Sequence, residues 1–248
     1  MLLARRLGMA EPESWRARPR HVQYPLTQRL RGSSDRAVFN QIFAEEEYAS
    51  LADLKDVSLV FDLGANVGYA SAYFLNRFPK ARLVAVEPDN RNIVVCRLNL
   101  KPYGDRVLLL HGAVWSEPTS LNLSQGAFGD GREWATQVAK PETDSAGDTQ
   151  AWDVTSLIEM AAATPVDLLK VDIERAELAV FGETAKAWLP QVRNICIELH
   201  GPDCEEIFFH ALADYDYELG HSGELTICRN LRPKAAGRIP ATPDKTPN

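Results

Sequence analysis

"LVFDLGANVGYASAYF" (residues 59–74) carries the signals that decide the fold of this chain. An apolar run ends in Asp62, Gly64 and Gly68 follow four residues apart, and a helical pattern begins at once. A short apolar run that leads directly into such a pattern is typical of a buried strand joined to a helix. Because glycine adopts backbone conformations barred to other residues, the turn predicts a place where the main chain approaches a ligand closely.

Strand and helix signals alternate along the rest of the chain. The predicted strands lie at residues 57–63, 81–88, 106–114, 166–173 and 192–200, and the predicted helices at residues 67–78, 90–104, 156–163, 174–188 and 204–215. Apolar strands that alternate with helices indicate a mostly parallel sheet covered on both faces. With a final antiparallel hairpin that turns at Ser222 and Gly223, the prediction is an α/β fold with a doubly wound, seven-stranded sheet.

The composition is ordinary for one large or two small globular domains, with 45% hydrophobic and 25% charged residues in 248. No apolar run approaches the roughly 20 residues that cross a bilayer, so we expect a cytoplasmic protein without membrane insertion. We divide the chain into an N-terminal arm and capping helix (residues 1–50), a main domain (residues 51–230) and a disordered tail (residues 231–248).

Both ends of the chain are basic, and residues 1–36 alone contain eight arginines. The body therefore carries more negative charge than the overall value of -7, which argues against a nucleic-acid partner. We interpret the arm as solvated and partly frayed; contact with an anionic substrate or lipid headgroup is the alternative. The four cysteines lack the spacing of a metal site, so we expect buried thiols.

The glycine turn and a later acid together indicate the ligand. A dinucleotide site would show G-x-G-x-x-G, whereas this turn has G-x-x-x-G with Asp62 before it. We therefore expect a ligand that is less anionic than NAD and has a cation facing Asp62. Glu87 closes the next predicted strand, where a carboxylate accepts hydrogen bonds from both hydroxyls of a ribose. Adenosine with a charged amino-acid end is S-adenosylmethionine; a purely structural turn is the alternative.

Four stretches resemble successive motifs of the FkbM-type S-adenosylmethionine-dependent methyltransferases: "FDLGANVGYASAYF", "VAVEPDNRNIVVCRLNL", "DLLKVDIERAELAVFGETAKAWL" and "ICIELHG". The resemblance covers residues 31–230 and implies a class I methyltransferase fold, with methyl transfer to an oxygen of a sugar, polyketide or other small metabolite. It also implies a set of cofactor-binding residues: Asp62, Gly64, Ala65 and Asn66 at the methionine end, Glu87 and Pro88 at the ribose, and Ala113 and Val114 at the adenine. Gly68 joins this set from the turn itself, where a glycine lets the helix sit tightly on the strand. Asp172 would face the reacting centre.

The chain departs from the family pattern in two places: residues 155–160 lack the family's usual acidic residues, and the departure at residue 175 matters more. Arg175 stands where the family usually has glycine, next to Asp172 and Glu174. If Arg175 begins a helix, its backbone is unstrained. Its side chain would then pair with these acids, grip an anionic substrate or face solvent.

Methyl transfer to a hydroxyl requires a base within hydrogen-bond reach. The candidates at predicted strand ends are Asp172, Glu174, Glu198 and His200, and we name Asp172, Glu174 and His200 as the catalytic residues. His200 suits the task best because the intrinsic pKa of histidine lies near neutrality. Alternatively, His200 is only a satisfied structural histidine, or the same side chains hold a divalent ion. No i, i+4 ligand pair supports a metal, so we assign none.

Two segments are expected to select the acceptor, which we take to be a small molecule or a glycan. Residues 116–150 read as a lid or inserted hairpin over the cofactor mouth, with aromatic residues that stack on the acceptor or pack the insertion: Trp115, Phe128, Trp134 and Trp152. Residues 33–51 resemble an amphipathic helix that caps the site with Val38, Ile42, Phe43 and Leu51 on one face. The resulting hypothesis is an O-methyltransferase. A non-catalytic scaffold that retains the fold and an N- or C-methyltransferase are the alternatives.

Overall fold

A seven-stranded sheet lies at the centre of the computed structural model, which describes residues 14–125, 136–139 and 147–235. The strands are β1 (Ser14–Ala17), β2 (Leu26–Arg29), β3 (Leu59–Leu63), β4 (Arg82–Glu87), β5 (Val107–His111), β6 (Ala113–Val114), β7 (Thr119–Gln125), β8 (Thr136–Ala139), β9 (Thr149–Trp152), β10 (Leu168–Val171), β11 (Ile195–Glu198), β12 (Tyr215–Ser222) and β13 (Leu225–Pro233). The α-helices are α1 (Asp35–Phe43), α2 (Tyr69–Arg77), α3 (Asn90–Leu100), α4 (Val154–Ala161), α5 (Glu177–Val180), α6 (Ala185–Trp188) and α7 (Pro202–Ala211).

The central sheet has the strand order β12-β13-β11-β10-β3-β4-β5. The five strands from β11 to β5 are parallel, while β13 lies antiparallel to β11 and forms a hairpin with β12. The predicted α/β fold, the seven-stranded sheet and the terminal hairpin are therefore confirmed. The strand order reverses between β3 and β10, and open sheets of this kind bind ligands beyond the carboxyl ends of the strands at that point.

Apolar clusters cover both faces of the sheet. On one face, α2 and α3 contribute Phe74 and Leu100; on the other, α4 and α6 contribute Leu157 and Trp188. All five residues of β3 are buried as a result. Burial on both faces explains why the central strands show continuous apolar runs instead of alternation.

The predicted strand over residues 106–114 divides at Gly112. β5 ends just before this glycine, and β6 leaves the central sheet to pair with β9 in a small separate sheet. A Cβ atom at Gly112 would lie 2.3 Å from the carbonyl oxygen of Gln150. Only glycine therefore allows the two segments to approach so closely.

The prediction of a single helix over residues 174–188 is wrong. The segment contains two one-turn helices, α5 and α6, instead. Glu174 and Arg175 have φ values of 49° and 72°, in the left-handed region that a right-handed helix cannot include. The helix therefore cannot start directly after β10.

The N-terminal arm packs against the main domain from Val22 onwards, so the interpretation as a solvated, partly frayed arm is wrong for residues 22–29, whereas residues 14–21 are largely exposed. β1 and β2 form an antiparallel ribbon, and Leu26 is fully buried. The hydroxyl group of Tyr69 in α2 donates a hydrogen bond to the carbonyl oxygen of Thr27 at 2.7 Å. This segment thus belongs to the folded body.

Several other boundaries differ from the predictions. α1 ends at Phe43, and Leu51 lies in a separate 3-10 turn, so the expected helical face is shorter. β13 continues to Pro233, past the predicted start of the tail, and residues 236–248 lie outside the described residues. All four cysteines are buried free thiols, as predicted: Cys96, Cys196, Cys204 and Cys228.

The insertion after β6 forms part of the small sheet, in which β7 pairs antiparallel with both β8 and β9. Trp115 packs against a small apolar cluster of this sheet, and Trp152 packs against one face of the central core. Phe128 and Trp134 lie outside the described residues. In the described ranges, no helix has the length and apolar character needed to cross a membrane.

Candidate active site

A cavity of about 620 Å³ opens at the carboxyl ends of the central strands, within the range of about 300–1,000 Å³ that ligand pockets occupy. Its walls include seven of the nine predicted cofactor residues: Gly64, Ala65, Asn66, Glu87, Pro88, Ala113 and Val114. They also include the three predicted catalytic residues: Asp172, Glu174 and His200. The structure thus brings both groups to one cavity.

The turn after β3 depends on glycine at position 64. Gly64 has a φ of 80°, and a Cβ atom there would lie only 1.7 Å from the carbonyl oxygen of Asp172. The amides of Gly64 and Ala65 both donate to the carbonyl oxygen of Val86, at 3.0 and 2.9 Å. Since Val86 belongs to β4, these bonds tie the turn to the neighbouring strand.

Glu87, the last residue of β4, presents a buried carboxylate to the cavity. Its Oε2 accepts the amide of Asn66 at 2.7 Å, and its Oε1 accepts the amide of Asp89 at 2.9 Å. Burial raises the pKa of Glu87 to about 7 despite these hydrogen bonds. Oε1 also accepts a long hydrogen bond, 3.4 Å, from Nδ2 of Asn92, and the lone pairs that remain on the carboxylate can accept hydrogen bonds from a diol.

Asp62 does not line the cavity, although it lies in β3 close to the glycine turn. It is fully buried; its Oδ2 accepts the hydroxyl of Ser71 at 2.5 Å, and its Oδ1 lies 3.1 Å from Lys170 Nζ. Lys170 Nζ in turn donates to the carbonyl oxygen of Gly64 at 2.7 Å. Asp62 therefore supports the glycine turn through Lys170 instead of facing a ligand directly.

Lys170 is a site residue that sequence reasoning missed. Burial alone would lower the pKa of Lys170, but the charges of Asp62 and Asp172 outweigh it, so the pKa is raised and the ammonium group is retained. The sequence does contain a signal for Lys170, because it lies within the apolar run of β10. A lysine at such a position is buried, and a buried lysine requires charged partners.

Gly68 also lies away from the cavity wall. It precedes α2 with a φ of 81°, and a Cβ atom there would lie 3.0 Å from the sulfur of Cys96. Its role in this structure is to let α2 pack closely on α3.

Three carboxylates surround the imidazole of His200 at the ends of β10 and β11. Nε2 lies 3.8 Å from Asp172 Oδ1, 3.6 Å from Glu174 Oε2 and 3.6 Å from Glu198 Oε1. Nδ1 lies 2.8 Å from Oε1 of Glu177, whose side chain is fully buried. Glu177 was not identified from the sequence; it fixes the ring so that Nε2 is directed to the other three acids.

The electrostatics of this cluster differ from the sequence expectation. Burial alone would lower the pKa of His200, but the hydrogen bond and charge of Glu177, with the other carboxylates, raise it to about 9. The pKa of His200 in this site therefore lies above the intrinsic value of histidine on which the sequence argument relied. Burial raises the pKa of Glu174 to about 7 and that of Glu198 to about 8, and Asp172 adds to both effects.

Comparison with known proteins now identifies the family, because residues 62–221 match the methyltransferase FkbM domain. The chain belongs to the FkbM methyltransferase family. This is a family of S-adenosylmethionine-dependent methyltransferases, and the seven-stranded sheet is the class I fold expected of it. The cavity fits this cofactor, since Glu87 offers a buried carboxylate for a ribose and Gly64 leaves no side chain between the turn and β10.

Two curated relatives are similar over limited parts of their length. The AMB antimetabolite synthetase AmbE of Pseudomonas aeruginosa is 26% identical over 226 residues, which cover 76% of this chain and 10% of AmbE. The 2-O-methyltransferase NoeI of Sinorhizobium fredii is 31% identical over 112 residues, 44% of this chain and 45% of NoeI. The chain therefore spans less than half the length of either relative. A solved structure of M. capricolum TrmK with S-adenosylhomocysteine aligns with a TM-score of 0.43 and 10% identity, covering 79% of this chain and 72% of TrmK.

Arg175 of this FkbM methyltransferase does not start a helix, which corrects the earlier expectation. Its left-handed backbone explains why glycine is usual there. Its guanidinium pairs with the carboxylate of Asp203, and Nη1 donates to the carbonyl oxygen of His200 at 2.9 Å. The side chain thus connects the segment after β10 to the start of α7.

The predicted capping segments contribute unequally to the cavity. Val38 and Ile42 of α1 lie in its wall. Of the insertion, neither residues 116–123 nor residues 147–150 line it, so these described parts do not cover the cofactor mouth.

Proposed function

We propose that this methyltransferase acts on a hydroxyl group of a small molecule or glycan. The observation that carries the proposal is a single cavity that joins the glycine turn and Glu87 to the side chains of Asp172, Glu174 and His200. The first part suits the methyl donor, and the second offers proton acceptors beside it. The activity named for NoeI, a 2-O-methyltransferase, supports oxygen as the acceptor atom.

We assign the cofactor to the side of the cavity formed by the ends of β3 and β4. The residues that would hold it are Gly64, Ala65 and Asn66 at the methionine end, Glu87 and Pro88 at the ribose, and Ala113 and Val114 at the adenine. Asp62 and Gly68 act indirectly, through Lys170 and through the packing of α2. When bound, S-adenosylmethionine supplies a methyl group activated by its sulfonium.

The acceptor is assigned to the ends of β10 and β11. Glu177 holds Nδ1 of His200, so Nε2 is the nitrogen that the ring presents to the cavity. Asp172, Glu174 and His200 together orient the acceptor hydroxyl. Because the pKa of His200 is raised to about 9, a carboxylate takes the hydroxyl proton at neutral pH as the oxygen becomes a nucleophile, and His200 takes it only in its neutral form. Orientation by several fixed groups is the main contribution that a protein makes to such a displacement.

Calorimetry and product analysis test this proposal. S-adenosylmethionine and S-adenosylhomocysteine should both bind with micromolar affinity, whereas a scaffold that only retains the fold need bind neither. A screen of glycans and small alcohols should yield a product with a methyl group on oxygen, identified by mass spectrometry. A product methylated on nitrogen would refute oxygen as the acceptor atom.

A substitution at His200 tests the acceptor side separately. His200→Gln is expected to lower turnover while the affinity for S-adenosylhomocysteine stays close to that of the wild type. His210→Gln, which changes an exposed histidine in the last turn of α7, is the matched control. An unaltered rate in His200→Gln would remove His200 from the proton-accepting group.

A further inference from the structure

The carboxylates around His200 stand too far from its Nε2 for hydrogen bonding. The three distances, to Asp172, Glu174 and Glu198, are 3.6–3.8 Å. An N–H···O hydrogen bond spans about 2.7–3.2 Å. Within the described part of the chain, only the other ring nitrogen, Nδ1, has a hydrogen bond. These four side chains therefore converge without bonding to one another through Nε2.

The distances from Nε2 to the carboxylate oxygens are close to those between neighbouring ligands of one metal ion. Imidazole nitrogen and carboxylate oxygen ligands lie about 2.0–2.2 Å from Zn²⁺, which puts two tetrahedral ligands about 3.4 Å apart. Asp172, Glu174 and His200 each offer one ligand atom, and these atoms all lie within 4.8 Å of one another. Two carboxylates and an imidazole are ligand types that divalent first-row metals accept.

The contacts behind the imidazole are those of a metal-bound histidine. Such a histidine almost always donates its second N–H to a carboxylate or carbonyl group, which fixes the orientation of the ring. Here the buried carboxylate of Glu177 occupies this position, 2.8 Å from Nδ1. Nε2 is consequently directed at the cluster by a partner that lies outside it.

A metal ion would take the place of the proton on Nε2 of His200, because three carboxylates surround that nitrogen. Carboxylates this close repel each other unless one is protonated or a cation lies near them. The nearby Lys170 is shared, because its Nζ lies 3.1 Å from Asp62 and 3.6 Å from Asp172. Two further acids, Glu47 and Glu224, line the same cavity.

We propose that Asp172, Glu174 and His200 bind one divalent first-row metal ion, with Glu198 as a fourth side chain within reach. These ligands follow the ends of two strands, β10 and β11, and therefore lack the i, i+4 spacing of a ligand pair on one helix. Binding of the ion does not depend on the proposed function, but a role of the ion in methyl transfer does. Beside an acceptor hydroxyl, the ion would act as a Lewis acid that lowers the pKa of that hydroxyl.

Calorimetric titration of Mn²⁺ and of Zn²⁺ into the chelator-treated full chain tests the site. We expect one ion per chain for the wild type. His200→Gln and Glu174→Gln, which each remove a ligand, should weaken binding by about 100-fold or more, and Glu177→Gln by about 10- to 100-fold. Glu206→Gln is the control, because it removes an exposed carboxylate of α7 that is not in the cluster; it should keep the wild-type affinity. Thermal melting checks that each variant is folded.

Two results would overturn the site: no stoichiometric binding of either ion, or wild-type affinity in both His200→Gln and Glu174→Gln. Titration of S-adenosylhomocysteine into the same metal-free protein separates this failure from failure of the proposed function. Cofactor binding without metal binding overturns the metal site alone. Metal binding without cofactor binding supports the site and counts against the placement of the cofactor.

Discussion

Ionisation of Glu87 is expected to set the pH dependence of cofactor binding. Burial raises the pKa of Glu87 to about 7, and the amides of Asp89 and Asn66 reduce this effect only in part. An ionised carboxylate accepts hydrogen bonds at both oxygens, whereas the protonated form must first lose a proton to serve both hydroxyls of a ribose. Affinity should therefore be full above pH 7 and decline as the pH falls through that value.

The expected size of the effect follows from the raised pKa. Below a pKa of about 7, the ionised fraction of Glu87 falls about tenfold for each pH unit. Binding at about pH 5 should thus be about 100-fold weaker than at about pH 8. Isothermal titration with S-adenosylhomocysteine measures this without turnover and without the charge of the sulfonium.

Glu87→Gln tests whether this carboxylate is responsible. Glutamine keeps the shape and one acceptor oxygen but does not ionise, so binding should be weaker and nearly independent of pH. Glu174→Gln is the matched control, because burial also raises the pKa of Glu174 to about 7 in the same cavity. It should retain the wild-type slope. A wild-type slope in Glu87→Gln would refute the reasoning.

Three further substitutions test the supports of the site. Gly64→Ala should lower the free energy of unfolding by about 2–5 kcal/mol in a urea titration, because φ is 80° and the new Cβ would lie 1.7 Å from the carbonyl oxygen of Asp172. Asp62→Ala leaves Lys170 buried without its nearest carboxylate, so the same measurement should show a loss of about 3–5 kcal/mol; wild-type stability would contradict the buried pair. Arg175→Gly should keep the stability or raise it by up to about 1 kcal/mol, because φ is 72° and an exposed ion pair contributes little; thermal melting that shows a clear loss would oppose this.

The sheet could be predicted because its central strands are buried on both faces. Continuous apolar runs, such as residues 59–63, are typical of such strands, and Gly64 marks the end of β3. The connection after β10 could not be predicted in the same way. Neither Glu174 nor Arg175 is a residue that commonly adopts a left-handed conformation, so nothing in the sequence marks the break in the helix.

The orientation of Asp62 shows what position along a strand does not reveal. Successive side chains of a strand point to opposite faces of the sheet. Phe61 belongs to the apolar cluster on one face, whereas Asp62 lies on the other face, where Ser71 of α2 bonds to it. Lys170 is its direct neighbour in β10, and the two charges therefore meet. Their pairing depends on the register between two strands, which the composition of either strand alone does not specify.

The left-handed turn after β10 places two carboxylates of one short segment on either side of the imidazole of His200. Glu174, inside the turn, lies 3.6 Å from Nε2, while Glu177, three residues later, lies 2.8 Å from Nδ1. Strained backbone persists where surrounding contacts over-determine it. Here Arg175 supplies such contacts, since it pairs with Asp203 and donates to the carbonyl oxygen of His200. The same side chain that departs from the family pattern thus connects the turn to His200 just after β11 and to the start of α7.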